Sequence, residues 1–254
     1  MGKTQRGIVV FVGAGPGAGD LITLRGARHL GTAEVVLHDA LTDPALRKLA
    51  PQARWIHVGK RGYRDSTVQV EINALMIKHA SRGARVVRLK GGDPSVFGRL
   101  EEELLALHEA GIATEVVPGV TAALAAAAAT QRPLTRRGSG RSVSLTTAVT
   151  QAGTVQAGRR ADSEVFYMAG QRLAELSRRL LAVGWPADTP ALVVSRALWP
   201  DQIASDHTVA TLPAASMLHS ARPAVVTVGV AAAALIREPV TAEQPSSLVP
   251  TREP

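Results

Sequence analysis

Arg88-Leu89-Lys90-Gly91-Gly92-Asp93-Pro94-Ser95-Val96-Phe97-Gly98-Arg99 breaks a β-type run, Ala84 to Leu89, with two glycines, a carboxylate and a proline. Paired glycines at a strand end let bare backbone come close to a ligand. Asp93 offers a fixed hydrogen-bond acceptor, and Pro94 stiffens the turn before Arg99 opens a Glu-rich helix. An ordinary surface turn uses the same residue types. A second glycine cluster, Gly13-Ala14-Gly15-Pro16-Gly17-Ala18-Gly19, also follows a hydrophobic strand and weighs against that bland reading.

The N-terminal cluster fits G-x-G-x-x-A, with Asp39 at the end of the next strand, so a nicotinamide-dependent dehydrogenase has to be weighed. Two features count against it. Pro16 removes an amide donor from the loop that would cradle a pyrophosphate, and helical periodicity starts only near Asp20 to Thr23, late for that fingerprint.

At 254 residues the chain holds one large or two modest domains. With no cysteine, disulfides, thiolate-held clusters and a catalytic thiol are excluded, which suits a reducing cytoplasm. No apolar run approaches the roughly 20 residues of a membrane span, and the apolar run after Arg6 is too short for a secretory signal. The chain therefore reads as soluble and cytoplasmic. Its net charge of +8 comes from scattered arginines and suits an anionic small molecule. Aromatics, at 3% of residues, are too sparse for a base-stacking surface, so no nucleic-acid partner is expected.

The elements that must position these residues alternate between strand and helix. Strands are expected at Ile8 to Val12, Glu34 to His38, Arg54 to Val58, Arg85 to Leu89 and Thr114 to Val117, apolar enough to be buried on both faces. Helices are expected around Ile72 to His79 and Leu100 to Leu107, each ended by a glycine, and over Ala122 to Thr130. His79 reads as a packed helix residue. The breaker-rich segment Gln131 to Gly140 marks a domain boundary after Leu134. Strands then recur at Arg141 to Thr146, Val165 to Met168, Ala191 to Ser195 and Ala224 to Val228, with a helix through Leu173, Leu176 and Leu180 and a loop over 147–162. Two successive α/β domains, 1–134 and 135–238, follow, with 239–254 a disordered tail.

Beyond the two glycine loops, the chain carries His38-Asp39-Ala40-Leu41, Val58-Gly59-Lys60-Arg61, Gln69-Val70-Glu71-Ile72-Asn73, Val117-Pro118-Gly119-Val120-Thr121-Ala122, Pro133-Leu134-Thr135 and Phe166-Tyr167-Met168. In this order, over roughly residues 8 to 236, they resemble the uroporphyrinogen-III C-methyltransferases of the tetrapyrrole methylase family. The block from Leu89 to Arg99 is the most specific. The resemblance implies a dimeric class III methyltransferase of two α/β domains, with S-adenosylmethionine folded into the cleft between them. Its contacts would be Pro16, Gly91, Gly92, Asp93, Val96, Thr121, Ala122, Met168, Ala197 and Ala224. The implied reaction is methylation of two pyrrole carbons of uroporphyrinogen III to give precorrin-2. No metal is needed, because the sulfonium is already activated. Asp39 would be the proton acceptor and Lys60 a donor or electrostatic partner. Without the resemblance, Asp39 also fits a helix N-cap and Lys60 a solvated turn residue, and Met168 reads first as core.

The substrate's eight carboxylates imply arginine contacts, for which Arg61, Arg99, Arg136 and Arg137 sit in or beside matching motifs, while Arg64 and Arg132 read as surface charges. The chain also departs from the pattern. Leu100 and Glu101 stand where Gly-Gly is usual, Arg136 where His is common, Thr147-Ala148-Val149-Thr150 where Thr-Gly-His is usual, and Ser195-Arg196-Ala197 where Glu-Asn-Gly is frequent. The alternatives are a methylase acting on a later corrin intermediate and a non-catalytic tetrapyrrole- or nucleotide-binding module.

Overall fold

The computed structural model describes residues 6–59, 69–149, 153–159 and 161–235. Its first half is a five-stranded parallel sheet in the order β3-β2-β4-β1-β5. The strands are β1 (Ile8–Gly13), β2 (Val35–His38), β3 (Arg54–His57), β4 (Arg85–Lys90) and β5 (Ala113–Val117). Strand side chains alternate between faces, so one strand feeds two cores. Val9 and Phe11 pack with α2 (Gln69–Ala80) and α3 (Leu100–Glu109). Val10 and Val12 pack on the opposite face with Leu30 of α1 (Leu24–Gly31) and Leu46 of the 3-10 segment Pro44–Leu49. The sheet is thus covered on both sides, as its near-continuous apolar strands require.

The second sheet has the order β6-β7-β10-β8-β9. Its strands are β6 (Val143–Thr147), β7 (Ser163–Tyr167), β8 (Pro190–Ser195), β9 (Ile203–Thr208) and β10 (Ala224–Gly229). β6 and β7 are parallel, and the other pairings are antiparallel. Phe166, Val193 and Val226 face α5 (Leu173–Ala182), and a short α6 (Ser216–His219) precedes β10. The alternate residues Val165, Leu192, Val194 and Val225 face α4 (Ala122–Ala129).

The structure departs from the sequence reading at four points. Helix α4, assigned to the first domain, packs its small alanines on the second sheet. Arg132, read as a surface charge, ties the end of α4 to that sheet through Asp206 and the Ala232 carbonyl. β9 was not expected: it pairs only with β8, at the sheet edge, and its Ser205-Asp206-His207 run lacks the apolar alternation of a half-buried strand. Within the expected loop 147–162, Val155 is buried in the α5-side core and bridges Val149. The tail 239–254 and Arg64 lie outside the described residues.

Candidate active site

The loops after β1, β4 and β5 meet at one point. Gly15 and Gly92 exchange backbone hydrogen bonds, Gly15 N donating to Gly92 O at 3.2 Å and Gly92 N to Gly15 O at 2.7 Å. Gly13 and Gly119 lie so close that a Cβ on Gly119 would stand 2.4 Å from the Gly92 carbonyl and 2.8 Å from Gly13 Cα. Asp93 locks the junction: Oδ2 accepts from Gly119 N at 2.8 Å, and Oδ1 from Ser95 N at 2.7 Å. The bare backbone that the sequence offers to a ligand is thus used first to bring three loops together. A carboxylate has about four lone-pair sites, so Asp93 keeps acceptor capacity.

The junction faces the second domain. Trp199 donates from Nε1 to the Pro16 carbonyl at 3.1 Å, and a Cβ on Gly17 would meet its ring at 2.6 Å. The Tyr167 hydroxyl, at the end of β7, lies 2.8 Å from Thr121 Oγ1 and accepts from Ala123 N at 3.2 Å, satisfying a first-turn amide of α4. Between these contacts lies an apolar crevice of about 180 Å³, lined by Pro16, Leu41, Ala122, Met168, Ala197, Trp199 and Ala224 among others. Met168 is 56% exposed with φ +60°, so it is not core. Arg196, stacked at 4.4 Å on Trp199, stands at its edge.

Leu41 also lines a second cavity, of about 330 Å³, with Asp39, Gln69, Arg88, Lys90, Gly91, Val96, Phe97 and Arg99. Asp39, at the carboxyl end of β2, caps no helix; Asp43 caps the 3-10 segment instead. Arg88 Nη2 lies 2.6 Å from Asp39 Oδ1, Arg88 Nε donates to Glu103 Oε1 at 2.9 Å, and Lys90 Nζ to Glu103 Oε2 at 2.5 Å. Arg88, Lys90 and Glu103 are all buried. Burial opposes the charge on Arg88, but Asp39 and Glu103 outweigh it and raise its pKa. For Lys90, burial and then the charge of Arg88 lower the pKa, against Glu103.

The expected contacts therefore divide. Pro16, Ala122, Met168, Ala197 and Ala224 share the crevice. Gly91 and Val96 line the Asp39 cavity, while Gly92, Asp93 and Thr121 form the hydrogen-bonded junction behind them. Of the arginines, Arg99 lines the Asp39 cavity, paired with Glu102 through two bonds of 2.7 and 2.6 Å. Arg136 does not join it: its guanidinium donates to the Ala233 carbonyl beside a separate cavity with Arg159 and Trp185. Arg137 is exposed in the turn between Arg136 and Gly140. Lys60 and Arg61 lie outside the described residues. Sequence reasoning gave no role to Leu41, Arg88, Lys90, Glu103, Tyr167 or Trp199. For Arg88 and Lys90 a signal existed, because two cations alternate at the buried end of a strand whose other buried residues are apolar.

The sheet order differs from the dinucleotide-binding order 3-2-1-4-5, and α1 begins only at Leu24, beyond a 3-10 turn at Gly19–Leu21. The family model of Tetrapyrrole (Corrin/Porphyrin) Methylases matches residues 8–213. The chain belongs to this family. This methylase is 46% identical over 200 residues to a uroporphyrinogen-III C-methyltransferase of Pseudomonas aeruginosa, covering 77% of this chain and 82% of that one. It is 38% identical to the Bacillus subtilis enzyme of the same name over 89% of this chain, but spans about half (48%) of that relative's length. The solved uroporphyrin-III C-methyltransferase of Thermus thermophilus complexed with S-adenosylhomocysteine superposes with a TM-score of 0.77 at 36% identity, over 88% of this chain and 97% of that one.

Proposed function

We propose that this methylase transfers two methyl groups from S-adenosylmethionine to pyrrole carbons of uroporphyrinogen III, giving precorrin-2. The observation that carries the reading is the adjacency of two cavities that share Leu41 as a wall: an apolar crevice between the domains, and beside it a cavity holding an ion-paired carboxylate and a guanidinium. The crevice suits the methyl donor, since Met168, Leu41 and Trp199 offer polarisable and aromatic surface to an adenine and thioether, and Ala122, Ala197 and Ala224 leave room for close contact. When bound, S-adenosylmethionine supplies an already activated methyl group. The protein's part is to align a pyrrole carbon with it and to exclude water.

Asp39 is the acceptor for the substrate proton that leaves after methylation, and its carboxylate stands beside positive charge developing on the ring. Arg99 meets a substrate carboxylate by exchanging it for Glu102. Lys60 and Arg61, which follow the cavity-lining Gly59 in sequence, are proposed as the donor and a further carboxylate contact. The protein works as a cytoplasmic homodimer, for which sedimentation as a monomer at working concentration would be contrary evidence.

Anaerobic incubation with uroporphyrinogen III and S-adenosylmethionine, followed by mass spectrometry, tests the reading. The expected product carries two added methyl groups. Calorimetric binding of NAD but not of S-adenosylhomocysteine would overturn it, and cofactor binding with no methyl added would favour a later corrin substrate or a non-catalytic role.

A further inference from the structure

Glu103 is fully buried, lies in the first turn of α3 and does not itself line the Asp39 cavity. Its two oxygens are divided between two cations of one strand. Oε1 accepts from Arg88 Nε at 2.9 Å and from Gln69 Nε2 at 3.3 Å, and Oε2 from Lys90 Nζ at 2.5 Å. Arg88 and Lys90 are two residues apart on β4 and so share a sheet face. The rest of the Arg88 guanidinium is also committed: Nη1 points to the Leu37 and Leu89 carbonyls at 3.5 and 3.3 Å, and Nη2 to Asp39 at 2.6 Å. A chain of alternating charge thus runs Lys90, Glu103, Arg88, Asp39. Only Asp39 reaches appreciable solvent, at 28% side-chain exposure against 3%, 4% and 0% for Arg88, Lys90 and Glu103.

An apolar cluster of similar volume often stabilises a fold as well as a buried ion chain or better, so three buried charges behind one cavity-facing carboxylate call for a reason beyond stability. We propose that Glu103 is a positioning residue for methyl transfer. It fixes Arg88 in the one orientation that presents Asp39 to the cavity, and Lys90 is its counter-cation. Glu103 acts through Arg88 and touches no reacting atom. The inference rests on the methyl-transfer reading above.

The test compares the wild-type protein, Glu103→Gln, Lys90→Met, and the double variant Glu103→Gln with Lys90→Met. Glutamine keeps the shape of Glu103 without its charge. The double change removes one anion and one cation together, which keeps the net charge of the cluster. If Glu103 positions Arg88, the double variant unfolds near the wild-type temperature and binds S-adenosylhomocysteine with unchanged Kd. Its kcat for uroporphyrinogen III nevertheless falls on the order of 10²-fold below that of Lys90→Met alone, the control for the cavity-lining lysine, which is the scale of an approximately 1 Å misplacement at a reacting centre. A double variant no slower than Lys90→Met would show that Glu103 only neutralises Lys90, and would overturn the inference. Should the double variant not fold, Glu103→Asp, which withdraws the carboxylate by one methylene, stands in. It is expected to lose kcat with cofactor affinity unchanged, and wild-type kcat there is equally fatal. A crystal structure of the soluble variant needs no turnover: the Arg88 to Asp39 contact must be lost or reoriented, and its retention overturns the proposal. If the wild-type protein binds S-adenosylhomocysteine yet methylates no tetrapyrrole, the functional reading fails and the role in methyl transfer with it, while the crystal structure still decides whether Glu103 holds Arg88 on Asp39.

Discussion

At the scale of single residues, Asp39 and Met168 carry the sharpest expectations. Asp39 caps nothing; it faces the cavity with Arg88 behind it at 2.6 Å. Asp39→Asn keeps the shape and should leave S-adenosylhomocysteine affinity intact while slowing methylation by about 10² to 10⁴-fold, as for loss of a general base. Paired cofactor titrations and single-turnover rates check this, and unchanged turnover in a folded variant removes Asp39 from the mechanism. Met168 is more than half exposed, so Met168→Ala should alter stability by no more than about 0.5 kcal/mol. Loss of its apolar contact to a bound cofactor, worth about 1 to 2 kcal/mol, should raise the S-adenosylhomocysteine Kd roughly 5- to 30-fold. Calorimetry beside thermal melts separates the two effects, and an unchanged Kd would take Met168 out of the crevice's binding surface.

At the scale of elements, α4 is the piece that joins the halves. Its chain enters from the β5 loop of the first sheet, its alanines pack on the second, and its first turn lacks a side-chain cap of its own. Tyr167 of β7 fills that need through Thr121 and the Ala123 amide. Tyr167→Phe keeps the ring and its contact with Phe97 at 5.0 Å but strands both partners, so a loss of about 1 kcal/mol in urea unfolding is expected. A smaller cost would mean that water takes over the cap. The central strands were legible from sequence because strands buried on both faces have to be apolar throughout. β9 was not legible, since an edge strand can be polar and its pairing depends on where β8 lies.

At the scale of the whole molecule, the histidines act on the response to mild acid. His38, His79, His207 and His219 all have pKa values lowered from 6.5, with burial the largest cause in each. The folded chain therefore binds these protons more weakly than the unfolded chain does. Stability is complete above the unfolded value and falls as the pH drops below about 6.5, because the unfolded state then takes up protons that the folded state refuses. The urea midpoint should be lower at about pH 5.5 than at about pH 7.5, and the drop should shrink in His219→Gln, where a ring held between Ser195 and Ser205 is replaced. A midpoint that does not change over that interval would contradict the sign.

By itself the sequence determined what local chemistry determines: where strands must be apolar, where glycine and proline stop them, and, through the ordered blocks from Gly13 to Met168, which family the chain resembles. It also singled out Asp39, Arg99 and Met168, which the fold brings to two neighbouring cavities. Only the tertiary structure decided what distant residues do to one another. Asp93 closes a loop junction, Arg136 turns to the Ala233 carbonyl, Arg132 ties α4 to its sheet, and Glu103 sits between two cations of β4. The reason is physical: a charged side chain has one identity in sequence but takes its partner from whatever the packing places within about 3 Å, and that distance is set by the crossing of strands and helices far apart along the chain.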